Sequence, residues 1–236
     1  MKVLINSKGK RTLWKSGDIH TEEGTIKESK IKDSSSTVST HQNKSLIKFD
    51  AKFTDIIKSL KRGPAVINAK DAGYIIANTG INSKSKIVDA GAGSGFLASY
   101  LSNITSNITT YEKNKVHFNI AKSNLNEINP KIKIKNKDIS ESIDEKDLDL
   151  ITLDLPDPEN ILKHAEKSLK SGAYLVCYLP NITQVQSLIK ESKSYNFILE
   201  KTIETIEREW IVQDRICRPE NQILGHTAFL VFFRKY

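Results

Sequence analysis

The sequence predicts an α/β protein: a parallel sheet covered by helices on both faces, preceded by a small β module. Three observations predict it. Short apolar runs rich in β-branched residues recur between residues 87 and 178, and stretches of helical periodicity separate them. Before residue 50 the chain instead carries short β-prone segments joined by turn residues. Strands buried on both faces read as continuous apolar runs, and parallel neighbours need a long, usually helical, crossover.

The module spans residues 1–50. Val3 to Ile5 and Thr12 to Trp14 read as strands around the turn-prone Asn6-Ser7-Lys8-Gly9, and Gly17-Asp18 and Glu23-Gly24 are further turns. Ser36 to Thr40 and Leu46 to Phe49 read as a hairpin around Gln42-Asn43. A second domain spans residues 51–236. Residues 52–79 read as two helical pieces broken at Gly63-Pro64, with Asp71 as a helix cap. Strands follow at Ile87–Ala90, Ile108–Tyr111, Ile132–Ile134, Leu148–Leu153 and Ala173–Tyr178, with helices from Phe96, from Lys115 and from Thr183. Asp157 is placed as an N-cap with Pro158 at the first helical position. The stretch from Phe197 to Phe233 is strand-rich.

The 236 residues allow one good core and a small appendage. The formal net charge of +8 suits a polyanionic partner, since Lys and Arg that neutralise phosphates release counterions. Cys177 and Cys217 have neither metal-site nor disulfide spacing and read as buried thiols of a reducing compartment. No metal site is expected. The start Met1-Lys2-Val3-Leu4-Ile5-Asn6 turns polar too soon for a signal peptide, and no apolar run is long enough to span a bilayer. The expectation is a cytoplasmic protein with no membrane partner.

Open α/β sheets bind ligands beyond the carboxyl ends of their strands. There the chain carries Asp89-Ala90-Gly91-Ala92-Gly93-Ser94-Gly95, followed by Phe96 and Leu97 at the start of a helix. The glycines allow a tight turn and close approach of a ligand to bare backbone. Such a loop alone also fits a dinucleotide. Asp89, entering the loop, favours S-adenosylmethionine, because it can face the cationic methionine end where a dinucleotide would bring pyrophosphate. Glu112, ending the next strand, is placed to bind ribose hydroxyls, in which NAD would serve as well. Asp138-Ile139 and Asp154 end two further strands, so polar groups at four strand ends form one rim around an adenosine-sized pocket. His117, on the helix after Glu112, can reach its edge.

Asp154-Leu155-Pro156-Asp157-Pro158 is the most informative stretch. It resembles the Asp-Leu-Pro-(Asp/Glu)-Pro-Trp motif of the tRNA adenine-N1 methyltransferases, which modify the T-loop adenosine at tRNA position 58 and in archaea often 57 as well. Arg62 to Ala72, ending Lys70-Asp71-Ala72, resembles that family's Arg-x-Thr-Gln-x-x-Tyr-Pro-Lys-Asp-Ala segment. His20-Thr21 with Gly24 resembles its N-terminal barrel, and Tyr178 to Val185 its post-strand segment. Glu207 to Trp210, Arg215, Arg218-Pro219 and Gly225 to Leu230 resemble its C-terminal strands. The chain departs from the pattern at Glu159, which replaces the motif tryptophan, at Pro64-Ala65, which replace Thr-Gln, and at Asn68-Ala69, which replace Tyr-Pro.

The resemblance implies a class I S-adenosylmethionine-dependent methyltransferase, a Rossmann-like seven-stranded sheet with a small N-terminal β-barrel. It implies tRNA as partner, a homotetramer, and Asp154 as the catalytic carboxylate beside the target adenine. Expected cofactor-binding residues are Asp89, Gly91, Gly93, Ser94, Gly95, Phe96, Leu97, Glu112, His117, Asp138, Ile139 and Asp154. Phosphate contacts are expected from Lys8, Lys10, Arg11, Arg208, Arg215 and Arg218, and Trp210 is expected in a core or subunit interface. Alternatives are a non-catalytic tRNA-binding subunit and a methyltransferase acting on protein or a small molecule.

Overall fold

The computed structural model describes residues 1–63 and 66–236, so the helix break and the family departures at Pro64 and Ala65 lie outside the described residues. The chain divides into two compact units, Met1–Leu60 and Lys61–Tyr236.

In the first unit, β1 (Lys2–Ile5) and β2 (Arg11–Trp14) form a hairpin, as do β3 (Ile19–Thr21) and β4 (Gly24–Ile26). A short helix α1 (Glu28–Lys32), unforeseen in the Ser- and Lys-rich stretch, precedes β5 (Thr37–Ser39) and β6 (Ser45–Asp50). Val38 pairs with Leu46 around Asn43, whose φ of 60° suits the turn. The antiparallel sheet runs β2-β1-β6-β5 and stays open in its ladder, with the β3–β4 hairpin separate. One link to that hairpin is His41, whose Nδ1 accepts from Thr25 N at 2.8 Å. Leu4, Trp14, Ile26, Ile31, Val38 and Leu46 form the core. Lys48 is buried there, its ammonium donating to Lys30 O, Asp33 O and Asp33 Oδ1 at 3.1, 3.0 and 2.6 Å. A buried charge is tolerable only when paired in this way. Helix α2 (Phe53–Ile57) ends the unit.

The second unit is built on a seven-stranded sheet. Its strands are β7 (Ile87–Ala90), β8 (Ile108–Tyr111), β9 (Lys133–Lys135), β10 (Leu148–Leu153), β11 (Leu169–Leu179), β12 (Phe197–Ile203) and β15 (Phe229–Lys235), in the order β12-β15-β11-β10-β7-β8-β9. The pairs among β7, β8, β9, β10 and β11 are parallel, as expected, but β15 runs antiparallel to both β11 and β12, so the sheet is mixed. A separate hairpin, β13 (Trp210–Gln213) with β14 (Ile216–Pro219), lies between β12 and β15 in sequence.

Side chains alternate across a strand. Thus Leu175 and Cys177 pack with Ile161, Leu162, Ala165, Val185 and Leu188. Val176, between them, packs with Ala72, Ile75, Leu97, Leu101 and Leu125. One face is therefore covered by α6 (Leu162–Ser168) and α7 (Ile182–Ser192), and the other by α3 (Ala69–Thr79), α4 (Phe96–Ser102) and α5 (Lys115–Ile128).

Two expected caps are corrected. Asp157 makes no side-chain cap bond, and Pro158 opens a 3₁₀ turn, Pro158–Ile161, leading into α6. Asp71 lies inside α3, fully buried, accepting from Lys70 Nζ at 2.9 Å and Thr227 Oγ1 at 2.8 Å. Asn114 does act as a cap: its Oδ1 accepts from Val116 N and His117 N and starts α5. Cys177 is buried as expected, whereas Cys217 is exposed. Among the described residues no helix is long and apolar enough to cross a membrane, and no cluster of His, Cys, Asp and Glu could hold a metal ion.

Candidate active site at the carboxyl ends of the strands

Strand order sets the site. From β7 the sheet grows through β8 to β9 on one side, while β10 adds on the other, so the switch point lies between β7 and β10. At their carboxyl ends opens a cavity of about 360 Å³, within the range of small-molecule sites.

The loop after β7 forms its floor. Gly91 N and Ala92 N both donate to Tyr111 O at 3.1 Å, and Gly93 N donates to Glu112 Oε2 at 2.9 Å. Gly91 has φ +82°, and a Cβ added there would lie 2.0 Å from the main-chain oxygen of Asp154. That close approach of the β7 and β10 ends permits only glycine. Asp154 N in turn donates to Ala90 O at 2.8 Å.

Glu112 is 7% exposed, with Oε1 accepting from Asn114 N at 2.8 Å. Each carboxylate oxygen therefore has one backbone donor and keeps a lone pair for a ligand hydroxyl. Asp138 Oδ1 accepts from Ser140 N and Ser140 Oγ at 2.9 and 2.8 Å, and these bonds, with Lys113 nearby, hold its carboxyl below the ordinary range. Asp154 faces the opposite influence. Burial above all, then the charges of Asp89 and Glu112, push its carboxyl up to about 7.

Gly91, Gly93, Ser94, Phe96, Leu97, Glu112, His117, Asp138, Ile139 and Asp154 line this one cavity. Asp89 and Gly95 do not. Asp89 is 2% exposed and stands in register with Thr110 on β8 and Thr152 on β10, accepting from their hydroxyls at 2.6 and 2.8 Å. Each oxygen takes one threonine hydroxyl of a neighbouring strand, and the Asp89 carboxyl does not line the cavity, where direct contact was expected. Burial raises its carboxyl despite the two hydroxyls. Gly95 turns away toward α5, its added Cβ falling 3.2 Å from Leu125 Cγ. Sequence reading missed Ile67, Ala92, Tyr111, Lys113, Asn114, Lys137, Leu155 and Pro156, which complete the lining. Most immediately flank the acidic strand ends, so the signal was adjacency.

Of the expected phosphate contacts, Lys10 pairs with Glu22, and Arg11 lies 3.9 Å from Asp55. Lys8, Arg208, Arg215 and Arg218 are exposed. Trp210, expected in a core or interface, is 57% exposed, near exposed Val212 and Ile216.

Comparison with known proteins places this arrangement. A family model described as the tRNA methyltransferase complex GCD14 subunit matches residues 58–217. The tRNA (adenine(57)-N(1)/adenine(58)-N(1))-methyltransferase of Methanocaldococcus jannaschii is 32% identical over 99% of this chain and 94% of its own length. A crystal structure of an S-adenosylmethionine-dependent O-methyltransferase from Thermotoga maritima superposes with a TM-score of 0.86 at 28% identity, covering 99% of this chain and 92% of the other. The tRNA (m1A58) methyltransferase of Aquifex aeolicus superposes at 0.82 and 25% identity, covering 100% and 97%.

Proposed function

The chain belongs to the tRNA methyltransferase complex GCD14 subunit family, and on that premise we propose that it transfers a methyl group from S-adenosylmethionine to N1 of adenosine 58 in the tRNA T-loop, with adenosine 57 as a further target. Its fold is that of the S-adenosylmethionine-dependent methyltransferases. The observation that carries the reading is the convergence of Glu112, Asp138 and Asp154 on a glycine-floored cavity, with buried Asp89 close enough to act on the Asp154 carboxyl, an environment suited to a cation. The M. jannaschii relative is named for positions 57 and 58, and the A. aeolicus protein for m1A58.

The sulfonium donor supplies an already activated methyl group. The protein's part is therefore alignment and electrostatics. Glu112 has lone pairs free for ribose hydroxyls, and Asp138 offers an acceptor to the donor's adenine amine. The glycine loop leaves room for the methionine portion. Asp154 accepts a hydrogen bond from the exocyclic amine of the target adenine and holds the ring with N1 facing the methyl. The N1–C bond forms as the S–C bond breaks, leaving S-adenosylhomocysteine and a ring that has gained positive charge. The Asp154 carboxylate stabilises that charge as it develops. A stacked T-loop base must be extruded first, at a cost of a few kcal/mol. The +8 net charge helps offset that cost through phosphate contacts, with Lys8, Arg208, Arg215 and Arg218 as candidates.

A cytoplasmic location accords with a tRNA substrate. A homo-oligomer, a tetramer by resemblance, accords with the exposed apolar side chains of Ile206, Trp210, Val212 and Ile216. The test is incubation with labelled S-adenosylmethionine and unmodified tRNA transcript, followed by nucleoside mass spectrometry. The expected product is 1-methyladenosine, lost when adenosine at tRNA position 58 is replaced by guanosine. Label on a ribose oxygen would favour the O-methyl chemistry named for the T. maritima neighbour. No label at all would refute both.

A further inference from the structure

One buried polar side chain has no part in the mechanism above. Asn124 on α5 is 3% exposed and sits in the apolar stripe that includes Ala121 and Leu125, the residues that back Gly95. It does not line the cavity. A buried amide persists only where its hydrogen bonds are made, and here they all join two segments remote in sequence. Asn124 Oδ1 accepts from Lys61 N at 3.1 Å, and Nδ2 donates to Lys61 O and to Ser94 O, each at 2.8 Å. A second tie runs beside it, from Gly63 N to Ser94 Oγ at 2.5 Å.

Holding the Ser94 carbonyl fixes the Ser94–Gly95 peptide plane, and the same peptide's Gly95 N donates to Ala92 O at 2.6 Å. The glycine loop, whose residues adopt positive φ at Gly91, Gly93 and Gly95, has few side chains of its own to define its shape. Asparagine suits the task because one group must both accept from an N–H and donate to two carbonyls. Aspartate has the shape without the donors, and leucine has neither donor nor acceptor.

We propose that Asn124 is a positioning residue for the methyl donor, fastening residues 61–63 to the glycine loop so that the loop is already shaped when the donor arrives. The inference rests on the reading of the cavity as the donor site. Preorganisation of this kind improves affinity by removing the ordering cost from the binding step.

The experiment is calorimetric titration of S-adenosylmethionine into the wild-type protein and Asn124→Asp, with thermal unfolding and steady-state kinetics on tRNA. The expected result is a donor Kd and donor KM raised about tenfold or more, equivalent to ~1.4 kcal/mol. At saturating donor, kcat should stay within about threefold, since a preformed loop acts on binding. Should Asn124→Asp fail to fold, Asn124→Ser decides the matter, because its one hydroxyl brings no charge and has a single donor for the two carbonyls of Lys61 and Ser94, and it should weaken methyl-donor binding in the same direction. A folded variant with donor affinity within about twofold of wild type, a change worth under 1 kcal/mol, overturns the proposal. So does a fall in kcat with donor KM unchanged. Failure of the wild-type protein to bind the donor counts instead against the donor site itself.

Discussion

Asp154 combines two demands that conflict. Its carboxylate form is the one that can accept from an adenine amine, yet burial and the charges of Asp89 and Glu112 raise its pKa from an ordinary carboxylate value to about 7. The folded protein therefore holds this proton up to about pH 7, while the unfolded chain releases it near 4. Folding takes up a proton between those values, so the favourable contribution is complete below about 4 and is lost as pH rises through about 7. Asp154→Asn should then leave the unfolding midpoint unchanged at pH 4 and raise it at pH 8, by the equivalent of on the order of 1–2 kcal/mol after allowance for partial exposure. The same substitution should lower kcat by about 10²–10³, the usual cost of losing one preorganised electrostatic group. For the wild type, kcat/KM should climb with pH to a plateau above about 7, a limb absent from the Asn variant. A variant that is both active and less stable at pH 8 would reverse the assignment of Asp154.

At the scale of elements, the glycine loop and the end of β10 define each other. A Cβ at Gly91 would meet backbone, which cannot yield as a side-chain tip can. Gly91→Ala should cost on the order of 2 kcal/mol or more in stability, from the strained φ and the overpacking together. Donor affinity should fall at least about tenfold, measured by calorimetry on the folded fraction. Retained affinity would mean that the loop does not hold the donor. The strands themselves were legible because apolar runs such as Ile87-Val88 and Leu150-Ile151 admit few other readings. The reversed β15 was not: Phe229–Phe233 is apolar in either direction, and only the partner strands set its sense. Helix α1 was hidden because its single buried contact, Ile31, stands among lysines and serines. Asp71 and Asp157 were misread as caps for one reason. Capping residues are recognised by type, whereas Asp71 is held by Thr227, a partner distant in sequence, and Asp157 precedes a proline that starts a tighter turn.

For the whole molecule, the site arises from convergence, and convergence was partly legible. Strand ends are visible in sequence, and a parallel sheet brings them to one edge, so Glu112, Asp138 and Asp154 could be grouped before any coordinates. What could not be read was depth. Asp89 precedes the same glycines as an ordinary loop acid would, yet two threonines in register draw it beneath the cavity. Asn124 was invisible for a related reason, since a polar residue in an apolar stripe does not name its partners. The claim that joins these levels is that the donor lies on the glycine loop with its sulfonium end toward Asp154. A crystal structure with S-adenosylmethionine bound tests it most directly. The expected result places the donor ribose on Glu112, its adenine beside Asp138, and its methyl group on the side of the cavity faced by the Asp154 carboxylate. A donor bound elsewhere, or one whose methyl points away from Asp154, would contradict it.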